Sequence, residues 1–488
     1  MDARPRTGSL VTGGALGGAV LLVFLAPAFR GGNRPLPLMG LEWLALGLLG
    51  LMALAWLMRP PGTFAPASSE NWASFAPSRL AEWLLVLSPV WLALLYLTPL
   101  PAAVWRAIPG RDIYLAFGGS GARPISLMPD ATLSSLLAMI PVLAVYAVAR
   151  LVDASRLRWL VAAGVASACL QSVWGLLQIG PLKSLYFGAE FAGNAMGGFA
   201  NANHFASFIG MTLPLSLWLM WGHKLTSSRA GLRGRGTIDQ VSLAYGLIVF
   251  ILLAGLAGSG SRAGCAVGVL VVVLAALLLA SAAETGSRRP YLVGLAVLLL
   301  GVVAALGAAG IFTRFDASRL GEDAWLRWRV AASTWGGALA LWPLGSGPGS
   351  FAGVFPRFQP AGLNHFAEHA HNDYVEFLME LGLAFVVLAL ALAGLMVHQL
   401  RRLWAQTWLD VEDFPPALLP LCAGLGLVAI GIHSFVDFNL RIPANATLAA
   451  LLLGLFLRPL ETDDAEGIAP SDGRESAALS PARVQQLA

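Results

Sequence analysis

The chain has 488 residues, of which 57% are hydrophobic and only 12% charged, with a net charge of +4. Soluble domains carry about 25% charged residues, so a string of water-soluble domains is excluded, and repeated apolar runs of roughly 20 residues call for a bilayer. Cys169, Cys265 and Cys422 lie far apart inside apolar runs, without metal-like spacing, and read as buried small hydrophobes.

Met1 to Arg6 is short and basic and leads into an apolar run at 10–29. Pro27 makes Ala26-Pro27-Ala28 a poor cleavage site, so this run is expected to be an uncleaved first helix. Further runs at 38–58, 80–99, 131–149, 158–179, 203–222, 241–257, 264–282, 290–312, 372–397, 415–433 and 444–458 predict about twelve transmembrane helices. The last is short and is expected to begin within the preceding loop. The fold class is therefore an all-α integral membrane protein. Its expected organisation is helices 1–9 over 1–312, a long loop at 313–370, helices 10–12 over 371–458, and an acidic, Ser/Ala-rich tail at 459–488 that reads as disordered. The Pro/Ser/Ala segment 60–77 is a loop without chemistry, and no Walker or Rossmann glycine pattern supports a nucleotide-driven pump.

Compact basic clusters beside span ends set the orientation. Arg229 to Arg235, Arg288-Arg289 and Arg401-Arg402 fall on one side with both termini, which are therefore expected in the cytoplasm. The distinctive polar residues then fall on the opposite, periplasmic side. They occur as separate elements along the chain.

Gly198-Phe-Ala-Asn-Ala-Asn203-His204-Phe205 opens the sixth span. Gly258-Ser-Gly-Ser-Arg262-Ala-Gly264 joins two apolar runs almost without a loop, holding Arg262 at the membrane boundary, where an ionisable residue is a functional candidate. Within 313–370, Trp325, Trp328, Ala332, Trp335, Leu339 and Trp342 recur at three- and four-residue steps. They predict an amphipathic helix against the membrane surface or the bundle, with Arg327 and Arg329 projecting off the stripe. Pro343 to Phe351 is a glycine-rich turn with spare backbone N–H groups.

His365-Phe-Ala-Glu368-His369-Ala-His371-Asn372-Asp373-Tyr374 follows. Positions 369 and 371 do not share a helical face, so a proton-accepting histidine fits better than a zinc site; such a group titrates near pH ~6.5 when unperturbed. Asn372 and Asp373 suit a helix N-cap. Finally, His433-Ser-Phe-Val-Asp437-Phe-Asn439-Leu-Arg441 places a histidine, a carboxylate and an arginine between two spans. Arginines and a base beside an apolar bundle imply a lipid-linked anionic substrate.

In order and topology these elements resemble the O-antigen ligase/polymerase superfamily of bacterial envelope glycosyltransferases over roughly 190–445. The ligase branch carries His-Asn, nine residues, then Gly-x-x-[Gly/Thr/Tyr]; here His371-Asn372 leads to Gly382, and the last place is Phe385. The resemblance implies a GT-C-like fold in the bacterial inner membrane. It also implies inverting transfer of a glycan from undecaprenyl diphosphate to an acceptor hydroxyl, with no metal, cofactor, nucleotide or nucleic-acid partner. The ligase reading takes lipid A core as acceptor. The alternatives are a polymerase acting on a second lipid-linked glycan, a protein O-oligosaccharyltransferase, a lipid-linked glycan transporter, or a peptidoglycan-type polymerase. His371 is the expected base, Arg262 and Arg327 the expected diphosphate ligands. Arg329, Arg441, Asn203, Asn372, His433 and Asp437 are the expected substrate contacts.

Overall fold

In a bilayer no water is available to backbone N–H and C=O groups, so each apolar run closes its hydrogen bonds internally as a helix. The computed structural model describes residues 6–57, 77–115, 121–179, 193–229, 240–281, 317–363, 366–407 and 417–459. Its helices in chain order are α1 (Arg6–Leu25), α2 (Pro35–Leu57), α3 (Pro77–Val86), α4 (Ser88–Leu97), α5 (Ala102–Ala107), α6 (Asp112–Leu115), α7 (Pro129–Leu151), α8 (Ala154–Ile179) and α9 (Ala202–Arg229). They continue with α10 (Gln240–Gly258), α11 (Arg262–Ser281), α12 (Ala317–Ala340), α13 (Phe351–Val354), α14 (Asp373–Leu381), α15 (Leu383–Thr407), α16 (Leu418–His433) and α17 (Pro443–Phe456). The strands among the described residues, β1 (Pro99–Leu100) and β2 (Arg123–Pro124), pair antiparallel.

Among the described residues seven helices, α2, α7 to α11 and α15, are long and apolar enough to cross a membrane, and the bent pair α3–α4 makes an eighth if counted as one span. The α15 span needs lipid most plainly, since only 6% of it is buried inside the protein. Three of the other expected spans correspond to shorter apolar helices: Gly13–Leu25 within α1, α16 with 16 residues and α17 with 14. The run expected at 290–312 and the tail lie outside the described residues.

Two expected spans are interrupted. The run at 80–99 bends by 56° between α3 and α4. Pro89 sits in the first turn of α4 and has no N–H to continue the helix. The run at 372–397 breaks at Gly382, whose φ of +55° suits glycine. There Leu383 donates its N–H to the carbonyl of Pro343 at 2.8 Å, so the glycine-rich turn 343–351 wedges against the break.

The stripe helix has two unlike faces. Val330, Ala338 and Leu341 pack with Phe351, Phe355 and Met379, whereas Trp325, Trp328, Trp335 and Leu339 stand exposed. At the head of α9, the segment 195–199 is clamped by two glutamines of α8. Gln178 Oε1 accepts from the amides of Met196 and Gly197, and Gln171 Oε1 accepts from Gly198 at 2.6 Å. Gly31 donates to the carbonyl of Gly198 at 3.1 Å, and a β-carbon on Gly198 would run into the carbonyl oxygen of Pro27. α9 itself is buried along most of its length against α10, α11, α16 and α17. The starts of α9 and α11, the end of α16 and the start of α17 therefore gather at one end of the bundle.

Candidate active site

The loop from Ser434 to Ile442 joins α16 to α17 and buries Asp437 completely. Three polar motifs far apart in the chain end on this one carboxylate. Asn203 Nδ2, from the first turn of α9, donates to Oδ2 at 2.6 Å, and Arg327 Nη1, from α12, donates to the same oxygen at 3.1 Å. His371 Nδ1 lies 3.2 Å from Oδ1, which also accepts the Phe438 amide at 3.0 Å. His204 Nε2 stands 3.7 Å from Oδ1, and Arg327 makes a further bond to the carbonyl of Val436 at 2.9 Å.

Burial alone would push this carboxyl up. Its contacts with His204 and His371 and the charge of Arg327 overcome that push and hold it well below the ordinary carboxylate range. Asp437 is therefore an anion, and an anion can only accept. His371 therefore carries a proton on Nδ1, and in the neutral imidazole the Nε2 lone pair is free to take another. The imidazole keeps 32% of its side chain exposed.

The backbone around His371 is held in place from several directions. Its φ of +52° is left-handed, a conformation that costs a non-glycine residue about 1 kcal/mol or more and persists where surroundings enforce it. Asn372 caps α14 by accepting the Val375 N–H at 3.1 Å, while its Nδ2 donates to the Phe435 carbonyl at 2.9 Å. Asp373 donates its N–H to the Ser434 carbonyl at 3.0 Å and accepts the Leu440 N–H at 2.9 Å. The 371–373 turn is thus sewn to the 434–440 loop, and Asn372 is occupied by that seam.

A second buried cluster lies beside the first. Arg441, expected to contact substrate, is sandwiched between two glutamates of α14. Its Nε is 3.1 Å from Glu376 Oε1, and its Nη2 donates to Glu380 Oε2 at 2.6 Å. Burial works against ionisation of both acids, but Arg441 and His369 hold Glu376 below its usual value, whereas burial wins at Glu380, which is raised. Burial likewise lowers and the two glutamates raise Arg441, with a net rise. Glu380 also accepts the Phe351 amide at 3.0 Å, tying the end of the glycine-rich turn to α14. Asp373 is pushed up to about 7 by burial, against the Leu440 N–H and the charge of Arg441.

The remaining expected residues are distributed differently. Arg262 is the first residue of α11, and Gly264 packs on Ala206 of α9, one turn beyond Asn203. Its Nη1 is buried without a hydrogen-bond partner, a cation with spare donor capacity. Arg329 bends away, donating to the Ala361 carbonyl at 2.6 Å with its guanidinium 4.6 Å from the Trp325 ring. His433 is buried in the last turn of α16, its Nε2 without a hydrogen-bond partner. His365 lies outside the described residues.

Sequence reasoning named His204 in the motif that opens the sixth span but gave it no role, and it missed Glu376, Glu380 and Phe438 as site residues. His204 follows Asn203 directly, and Glu376 and Glu380 stand four apart, on one face of a helix; both signals were visible. Phe438 had no signal, yet its ring meets His204, His369 and His371 at centroid distances of 4.5, 4.2 and 5.1 Å.

Residues 247–392 match the family described as O-antigen ligase, a stretch that holds Arg262, Arg327 and His371. No curated protein matches the chain.

Proposed function

We propose that this chain, which belongs to the O-antigen ligase superfamily, moves a glycan from undecaprenyl diphosphate to an acceptor hydroxyl on the periplasmic face of the inner membrane. The observation that carries this reading is the convergence of Asn203, Arg327 and His371 on the buried Asp437 anion. It joins a base with a free Nε2 to a cation that is 36% exposed. Arg262, with its unpartnered Nη1, supplies the second cation.

The acceptor oxygen attacks the anomeric carbon from the face opposite the diphosphate, so the centre inverts. The carbon–oxygen bond to the diphosphate breaks, and the leaving group keeps the electron pair. Arg262 and Arg327 stabilise that growing charge, a task suited to the planar donors of guanidinium. His371 Nε2 takes the hydroxyl proton, a step worth about 10²–10⁴-fold in rate, and Asp437 steadies the imidazolium that results. Arg441 is left out of the diphosphate site in this scheme because two glutamates already engage it.

The His371-Asn372 spacing to Gly382 follows the ligase branch while Phe385 departs from its last place, and the reading takes a ligase with lipid A core as acceptor first and a polymerase as the alternative. Deletion of the gene followed by envelope glycan analysis tests the reading. Uncapped core with accumulated long lipid-linked polymer is the expected result. Core bearing a single repeat, or loss of exopolysaccharide, would assign a polymerase instead, and an unchanged envelope would sink glycan transfer altogether.

A further inference from the structure

The turn that presents His371 presents a second imidazole in a parallel arrangement, and the transfer chemistry above makes no use of it. His369 Nδ1 lies 2.9 Å from Glu376 Oε1, as His371 Nδ1 lies 3.2 Å from Asp437 Oδ1. Both carboxylates are buried, with 1% and 0% of their side chains exposed, whereas the imidazoles keep 20% and 32%. A ring whose Nδ1 faces a buried anion turns its Nε2 edge outward. Neither Nε2 is among the buried atoms that lack a partner. One aromatic ring sets the spacing of the pair: Phe438 stacks on His369, with 23° between the planes, and meets His371 edge-on.

A packing role does not account for this geometry. Glu376 already accepts the Ala370 amide at 2.7 Å and has Arg441 beside it, so it needs no imidazole for company. A residue needed only to cover Phe438 would gain nothing from an open nitrogen. Among the described residues no three His, Cys, Asp or Glu side chains are grouped to hold an ion. Two neighbouring imidazoles, in their neutral form, can accept hydrogen bonds from two neighbouring hydroxyls, and adjacent hydroxyls are what a saccharide offers.

We propose that His369 is a second acceptor-binding residue whose Nε2 receives the hydroxyl next to the one that reacts, so that the His369–His371 pair reads two adjacent hydroxyls of a sugar. This rests on the reading of His371 as the base. No bond is made or broken at His369; its bond to the neighbouring hydroxyl holds the acceptor equally in the ground and transition states, so it acts on acceptor binding.

The test uses the full chain in proteoliposomes, with an undecaprenyl-diphosphate-linked oligosaccharide as donor and purified lipid A core, or a second lipid-linked oligosaccharide, as acceptor. His369→Phe keeps a ring on Phe438 and removes the nitrogen. Its acceptor KM is expected to rise on the order of 10-fold, the worth of one hydrogen bond, with donor KM and kcat near wild type. His369→Gln, whose amide reaches a similar position, is expected to recover most of the loss. A wild-type acceptor KM in His369→Phe would overturn the proposal. So would a joint fall in kcat, donor affinity and thermal stability in both variants, which is the signature of a structural residue. His371→Ala serves as control: if it remains active, the assignment of the base fails, a result distinct from either of these.

Discussion

Asp437 and His371, 66 residues apart in the chain, face each other at 3.2 Å with the carboxylate fully buried and the imidazole partly open. That pairing sets the tautomer of the histidine. Removing each partner should therefore produce different defects. His371→Ala is expected to lower kcat by about 10²–10⁴-fold while leaving the folded protein in the membrane. Asp437→Asn is expected to lower kcat and also to cost on the order of 2–3 kcal/mol of stability, because Asn203 and Arg327 lose an anionic partner in a buried place. Transfer assays and thermal unfolding of the same preparations separate the two. Equal stability losses in both variants would contradict the division of labour.

The arginines divide in a similar way. Arg262 has a buried donor with nothing to bond, whereas Arg441 is held between Glu376 and Glu380. Arg262→Lys keeps the charge but loses the planar donors, so it is expected to raise donor KM or lower kcat by at least 10-fold, an estimate of about one lost charge-assisted bond, with little effect on folding. Arg441→Lys is expected to act chiefly on stability and yield. Kinetics and unfolding curves that show the reverse pattern would exchange their roles.

The protonation of Asp373 links folding to pH. Its folded value is near 7, above the ~3.9 of an unfolded aspartate, so between those limits the folded state binds the extra proton. Stability attributable to this group is full below about pH 4 and falls as pH rises through 7. Asp373→Asn is expected to flatten that part of the profile and to be the more stable protein at pH 8, by on the order of a few kcal/mol. Unfolding midpoints at pH 5.5 and pH 8 give the comparison, and identical pH slopes for the two proteins would refute it.

Orientation is open to direct chemistry. Pro360 follows the short helical turn Phe355–Phe358 in the long loop. A cysteine introduced as Pro360→Cys is expected to react with a membrane-impermeant maleimide in intact spheroplasts. Protection there, with reaction only after lysis, would invert the topology.

The long helices α7 to α11 were legible because an unbroken apolar run in lipid has one way to satisfy its backbone. The breaks beside Leu87 and at Gly382 were marked only by single residues, Pro89 and Gly382, inside runs of helix length. At Gly382 the cause is a carbonyl brought in from Pro343, a contact that local pattern cannot contain. The site shows the same division. Asn203, Arg327, His371 and Asp437 each stand out as polar residues in an apolar chain, but Asp437 and Arg441 looked alike as possible substrate contacts. Which charge meets another charge, and which is left with a free donor, depends on partners from distant segments: Asn203 and Arg327 for one, Glu376 and Glu380 for the other.

α16 and α17, with 16 and 14 residues, are about 24 and 21 Å long, shorter than the ~30 Å apolar thickness of a bilayer. If, in the proposed topology, their far ends lie level with the cytoplasmic surface, the loop that carries Asp437 stops short of the opposite one. Chemistry at that depth is met sideways. On the proposed reading, a lipid-borne donor in the outer leaflet would arrive by a search in two dimensions, its tail never leaving hydrocarbon, while a bulky water-borne glycan would have to dip below the headgroups to compete. That depth would favour molecules sharing the leaflet as substrates before any residue has recognised a sugar.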